Sequence, residues 1–350
     1  MSSVPIDKIT TPLEAPVPPG EEFRDRNPRR ALSSDELAQF TKLSDLRSAW
    51  SLVQTYGLVA LTASLGCYGL ALHSAAGILM VAVAVVMMGC WQHWLAIISH
   101  ESTHYRLFAS RALNDLLGRL SGMLVGVSTF SYRIVHRLHH NHLYQPIDPD
   151  MALMAGYPRG KMYLVKKLLK DAAGFTAWRN YLYFFGAPAQ NQETGVAQKP
   201  LSDTTSRLRE LAMRDRWIVV AFHVLMLAAM FGLGYGLQYV VLWILPAFTV
   251  QAVILRLRAV AEHGAPSDTS TPLGAARTNV EIPLWARIAL FPHHVNYHLE
   301  HHLYPAVPHY HLAALHAKLQ AAGVLEGAEV RPFRETMRRV FAERAPRAPA

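Results

Sequence analysis

The sequence predicts an all-α integral membrane protein: two transmembrane helical hairpins, four crossings in total, beneath a cytoplasmic helical cap rich in histidine. Three observations carry this expectation. Apolar residues make up 51% of the 350 and charged residues only 17%, short of the roughly 25% charge of an ordinary soluble domain. Residues 48–99 and 217–255 contain no Asp, Glu, Lys or Arg, and a charge at mid-bilayer costs about 2.5–3.5 kcal/mol on insertion scales. Most of the 18 histidines cluster just beyond the ends of these windows.

Residues 1–47 are polar and carry Pro5, Pro12, Pro16, Pro18 and Pro19. With no apolar core ahead of a small-residue cleavage site, they read as a cytoplasmic segment and not a signal peptide. The first chargeless window holds two crossings of about 20 residues, placed near 50–72 and 76–99 and broken around Leu72, His73, Ser74 and Gly77. Residues 112–131 are apolar but hold Asn114, Asp115 and Arg119, as an interfacial or re-entrant helix would. Leu164, Val165, Leu168, Leu169, Ala172 and Ala173 form a stripe beside Lys161, Lys166, Lys167 and Lys170, which predicts a helix lying on the cytoplasmic leaflet. The second window divides at Gly232, Gly234 and Gly236 into crossings near 217–235 and 237–256. The membrane domain is thus 48–320, and 321–350 reads as a C-terminal tail. Both hairpin turns lack Lys and Arg, so the positive-inside rule puts everything else, termini included, in the cytoplasm. The net charge of +9 is then a matter of topology. No basic stripe with interleaved aromatics points to nucleic acid, and Cys67 and Cys90, inside apolar runs, make no disulfide framework.

Chemistry is concentrated in three boxes. His100-Glu-Ser-Thr-His104 continues the second crossing, and an i, i+4 pair projects from one helix face. His136-Arg-Leu-His139-His140 and His298-Leu-Glu-His301-His302 are both HxxHH, whose i, i+3 and i+4 positions are expected to offer two or three imidazoles to one point. Eight imidazoles exceed the four ligands of a tetrahedral zinc and so suggest two metal ions, although imidazole suits zinc, copper, iron and nickel alike. The first box alone also matches HExxH, a zinc peptidase motif with Glu101 as base, but that reading leaves both HxxHH boxes unexplained. A non-catalytic metal transporter or sensor is a third class, for which the crossings offer few polar ligands. His93, seven residues before His100, could line an approach to the metals or be a hydrogen-bonded membrane histidine.

The three boxes in this order, with hairpins between them, resemble the membrane fatty-acid desaturase and hydroxylase superfamily over residues 48–320. Further matches are Asp148-Pro-Asp150, Arg258-Ala-Val-Ala-Glu-His263 and Asn296-Tyr-His-Leu-Glu-His-His-Leu-Tyr-Pro305. The resemblance implies two iron ions in a cage of His100, His104, His136, His139, His140, His298, His301 and His302, completed by His263 near the end of the last hairpin. Asp148, Asp150, Asn296 and His294 are candidates for the layer behind the ligands. Some acyl-CoA members place an Asn four residues before the extra histidine, where this chain has Ala259, and the first box is HxxxH where stearoyl-CoA-type enzymes have HxxxxH. The implied activity is O2-dependent oxidation of a fatty-acyl chain from the bilayer, giving desaturation or hydroxylation. Oxidative decarboxylation of free medium-chain fatty acids to terminal alkenes is an alternative, for which Arg137, or Arg133, Arg256 or Arg258, would hold the carboxylate. Carotenoid ketolation or hydroxylation is another. The chain shows neither a cytochrome b5 module nor the His-Pro-Gly-Gly signature, so electrons are expected from a separate ferredoxin, rubredoxin or cytochrome. A bacterial inner membrane is the expected location.

Overall fold

The computed structural model describes residues 27–185 and 204–343. The described chain is mostly helical, and its only strands are the parallel pair β1 (Thr278–Val280) and β2 (Val330–Pro332). Helices α1 (Ser34–Thr41), α2 (Asp45–Ala71) and α3 (Ala75–Thr103) open the fold. Each has a serine N-cap (Ser33, Ser44 and Ser74) accepting from a backbone N–H in the first turn, which satisfies an otherwise orphaned donor. α2 and α3 form the first hairpin with the break where the sequence puts it. They approach closely, because a Cβ on Gly77 would meet the Gly69 carbonyl oxygen at 2.4 Å, and Trp91 Nε1 donates to Thr62 Oγ1 across the pair at 2.9 Å.

α4 (Arg111–Leu124) and α5 (Thr129–Asn141) follow, then α6 (Met151–Met154), α7 (Lys161–Ala172) and α8 (Ala177–Phe184). The second hairpin is α9 (Ser206–Gly232) and α10 (Gly236–His263), turned through Gly234 at φ 82°. Among the described residues three helices are long and apolar enough to cross a membrane: α3, α9 and α10. α2 has the length, but Ser48, Ser51, Gln54, Thr55 and Thr62 dilute its apolar content. An all-α membrane architecture follows from these helices.

Two elements run past the expected crossings. α9 begins at Ser206 and not near 217, because nothing in the charged stretch Arg207–Arg216 breaks a helix. The extension is structural: buried Asp215 pairs with Arg119 of α4 at 2.8 Å and accepts from Ser128 Oγ (3.0 Å) and Phe130 N (3.3 Å), so it anchors the start of α5. α10 carries a π turn at Val240–Ile244, where Gln92 Nε2 of α3 donates to Trp243 O at 2.8 Å, and it continues to His263. α3 and α10 meet at Gly89, where a Cβ would lie 2.5 Å from Val250 Cβ.

The remaining chain closes over the helix ends. The helix His298–Leu303 carries the third box. It is held to β1 through Asn279 N to Asn296 O (3.0 Å) and Asn296 Nδ2 to Asn279 O (3.1 Å). Residues assigned from sequence to the tail return to the membrane domain: β2 pairs with β1, and Val340 of the helix Phe333–Val340 is buried against Leu164 of α7 and Val260 of α10. Arg277 and Glu329, both buried, form an ion pair at 2.8 Å that ties this return to the end of α10.

Candidate metal centre

The C-terminal end of α3, the length of α5, the C-terminal end of α10 and the third-box helix converge, and all nine histidines of the predicted cage meet there. They form two groups, His100, His104, His136, His140 and His301 in one and His139, His263, His298 and His302 in the other. Within each group the candidate ligand atoms lie within 4.8 Å of one another. The groups abut where the His140 and His302 rings stack at 4.1 Å between centroids.

Each HxxHH box offers two imidazoles to one group, within the expected two or three, and sends its remaining histidine to the other. In box two His136 and His140 go to one group and His139 to the other; in box three His298 and His302 stay together and His301 crosses over. The helix explains this. Residues i and i+4 stack nearly in line, whereas i+3 and i+4 are successive residues and diverge by about 100°.

Several nitrogens point inward with nothing to bond. Nε2 of His100, His104 and His301 are buried without a partner, a cost of about 1–3 kcal/mol each. In the second group, Nε2 of His298 lies 2.8 Å from Nε2 of His263 and 3.1 Å from that of His302. Burial pushes the pKa of His104 down to about 3 and those of His136, His140, His298, His301 and His302 well below the usual imidazole value. Neutral imidazoles with convergent free nitrogens are what a metal ion needs, so the residues present fit two ions.

Partners behind the rings fix their orientation. His100 Nδ1 donates to Glu101 Oε1 (3.2 Å), whose other oxygen accepts from His309 N (3.1 Å). His139 Nδ1 donates to Asp148 Oδ1 at 3.0 Å and lies 3.4 Å from Asp150 Oδ2. Burial opposes a charge on His139, but these carboxylates outweigh it and raise its pKa to about 9. His263 Nδ1 donates to Ala275 O at 3.1 Å. Each such bond leaves the other ring nitrogen to face the centre.

Asp148 and Asp150 thus stand against the outer nitrogen of His139. Asn296 instead pairs with Asn279, and His294 is exposed, its ring against Tyr297; neither is brought to the histidine groups. Arg137 is exposed, on a different face of α5 from the buried histidines. Arg133 pairs with Asp115 and Arg256 with Asp171, whereas Arg258 faces the centre, Nε donating to Glu262 Oε1 at 2.8 Å. His93 Nε2 donates to Leu290 O at 3.3 Å, outside both groups. Sequence reasoning cast Glu101 only as a peptidase base and gave Glu262 no role, although each sits directly beside a cage histidine in the chain.

Beside the second group lies a cavity of about 80 Å³. Arg258, Glu262, Asp150, Tyr132 and Tyr183 line it together with His136, His139, His263 and His298. Leu153, Met154, Phe184 and Leu255 supply its apolar wall.

The fold and this centre define a membrane-type histidine-box protein, and comparison with known sequences gives the family. The profile of the fatty acid desaturase family matches residues 76–334, and the chain belongs to that family. It is 26% identical over 236 residues to the dihydrorhizobitoxine desaturase of Bradyrhizobium elkanii, covering 65% of this chain and 64% of the relative. It is 27% identical over 252 residues to an acyl-lipid (9+3)-(E)-desaturase of Dimorphotheca sinuata (66% and 62%). It is 23% identical over 241 residues to an sn-1 acyl-lipid omega-3 desaturase (ferredoxin) of Nostoc sp. (strain 36) (65% and 64%). The matches span a little under two thirds of the length of these relatives.

Proposed function

We propose that this protein is an O2-dependent di-iron oxidoreductase that desaturates an acyl chain drawn from the bilayer, crossing the membrane four times with α2 as the first span. The observation that carries the reading is the sorting of nine histidines into groups of five and four, with unpartnered Nε2 atoms on His100, His104 and His301 and converging Nε2 atoms on His263, His298 and His302. Two irons bound there supply the activation of O2 needed to remove hydrogen from an unactivated C–H bond.

The protein's part is placement. Glu101, Asp148 and the Ala275 carbonyl hold His100, His139 and His263 in orientation, so the cage is set before substrate arrives. Leu153, Met154, Phe184 and Leu255 offer an apolar wall to a hydrocarbon segment, and Tyr132 and Tyr183 line the same cavity. The cavity must widen to admit a chain of any length. Glu101 lies behind His100, bonded to its outer nitrogen, which is the wrong side for a peptidase base acting on metal-bound water.

Desaturation is favoured over hydroxylation because the relatives quoted are named desaturases. Their substrates by name are acyl lipids and dihydrorhizobitoxine, so an acyl lipid is the first substrate to try. The ferredoxin in the Nostoc relative's name supports an external donor of that type, and the basic chain suits an acidic redox partner. The test is gas chromatography–mass spectrometry of products from membranes containing the protein, supplied with iron, O2, a reducing system and C10 to C18 acyl substrates, free and lipid-bound. Internal double bonds are expected. A terminal alkene one carbon shorter than its acid would replace desaturation with decarboxylation, and a hydroxy acid would replace it with hydroxylation.

A further inference from the structure

Carboxylates approach the cage from outside, with one exception. Glu101 faces Nδ1 of His100, and Asp148 and Asp150 face Nδ1 of His139; in each case this is the ring nitrogen turned away from the centre. Glu262 Oε2 instead lies 3.7 Å from Nε2 of His298. That nitrogen is the one around which Nε2 of His263 and His302 gather at 2.8 and 3.1 Å. The other oxygen of Glu262 is fixed, because Arg258, one turn earlier on α10, donates to Oε1 at 2.8 Å. Both side chains are largely buried, 5% exposed for Glu262 and 12% for Arg258, so the carboxylate is held by one oxygen and presents the second to the inner face.

Two further facts give that placement a purpose. The groups are unequal, five imidazoles against four, and Glu262 adjoins the smaller. The nine imidazoles bring no negative charge to a buried pair of divalent ions, which would be the largest charges in the site. A carboxylate beside imidazoles is an ordinary donor set for non-haem iron.

We propose that Glu262 is a fifth ligand, through Oε2, of the metal held by His139, His263, His298 and His302, with Arg258 as the residue that orients it. This rests on the two-metal reading above. The competing role for Glu262 is merely to neutralise a buried guanidinium, and the experiment separates the two. Iron per chain and the Mössbauer spectrum of 57Fe-loaded protein are measured for the wild type, Glu262→Gln and the double variant Arg258→Gln/Glu262→Gln, which leaves no unpaired charge to disturb folding. The wild type is expected to bind two irons in two distinguishable environments. In both variants the iron of the five-histidine group keeps its signature, while the other changes signature and binds about 10–100-fold more weakly. Wild-type spectra and affinity in Glu262→Gln, or recovery of the second iron in the double variant, would overturn the proposal. A wild type with fewer than two irons would overturn the two-metal reading itself, whatever the variants do.

Discussion

The two histidine groups are built from the same boxes yet differ in how they are assembled. The five-histidine group takes an i, i+4 pair from α3, another from α5 and the single His301; the four-histidine group takes the i, i+4 pair of the third box and single residues from α5 and α10. An i, i+4 pair is a local device, fixed by the helix wherever it lies. A crossed-over i+3 histidine is not, because it reaches the other group only if two helices meet at the right angle. His139 and His301 are therefore the residues that couple the groups, and the four-histidine group depends more on long-range folding. One of its supports shows this: the Ala275 carbonyl that holds His263 is reached through the segment that Arg277 and Glu329 anchor.

That contrast can be broken most forcefully at the ligands. His139→Ala and His104→Ala should each abolish turnover, but iron should fall to about one per chain from different groups, a loss beyond the about 10–100-fold in affinity that outer partners control. Metal analysis with Mössbauer spectra of both variants checks it, and loss of the same iron from each would dissolve the distinction. The next largest effect is expected at the anchor. Arg277→Gln removes one buried partner of Glu329 but leaves Arg331 paired to it at 3.0 Å, so the loss should fall below the about 3–5 kcal/mol of a fully orphaned buried charge; thermal unfolding in detergent should show it, with the four-histidine group losing iron first.

The layer behind the rings sharpens the comparison at lower amplitude. Asp148→Asn should weaken only the four-histidine group and Glu101→Gln only the five-histidine group, each by about 10–100-fold in iron affinity. Equal weakening of both irons by either change would mean that the groups act as one unit. The smallest effect is expected far from both. Ser33→Ala removes the side-chain cap of α1, costs about 1 kcal/mol of stability and should leave iron content at the wild-type value.

Much of this was legible in the sequence because it is local. The chargeless windows mark the hairpins, Gly232, Gly234 and Gly236 mark the second turn, and the box spacings pick out eight histidines that do converge, His263 being added by the family resemblance. What was not legible depends on contacts distant in the chain. No pattern says that His301 leaves its neighbour His302, that Asp215 holds the start of α5, or that β2 returns to pair with β1. His294 and Asn296 show the limit from the other side: they are close in sequence to the third box, yet the left-handed backbone at His293 and His294 (φ 50° and 59°) and the pairing with Asn279 carry them elsewhere. Arg137 and Arg258 make the same point, since only the helix phase decides that the first is exposed and the second faces the cage.

The central claim, a pair of irons divided between five and four histidines, is tested most directly by metal analysis of the purified full-length protein. Two irons per chain are predicted. A single zinc per chain, with the HxxHH boxes contributing nothing to its binding, would contradict it.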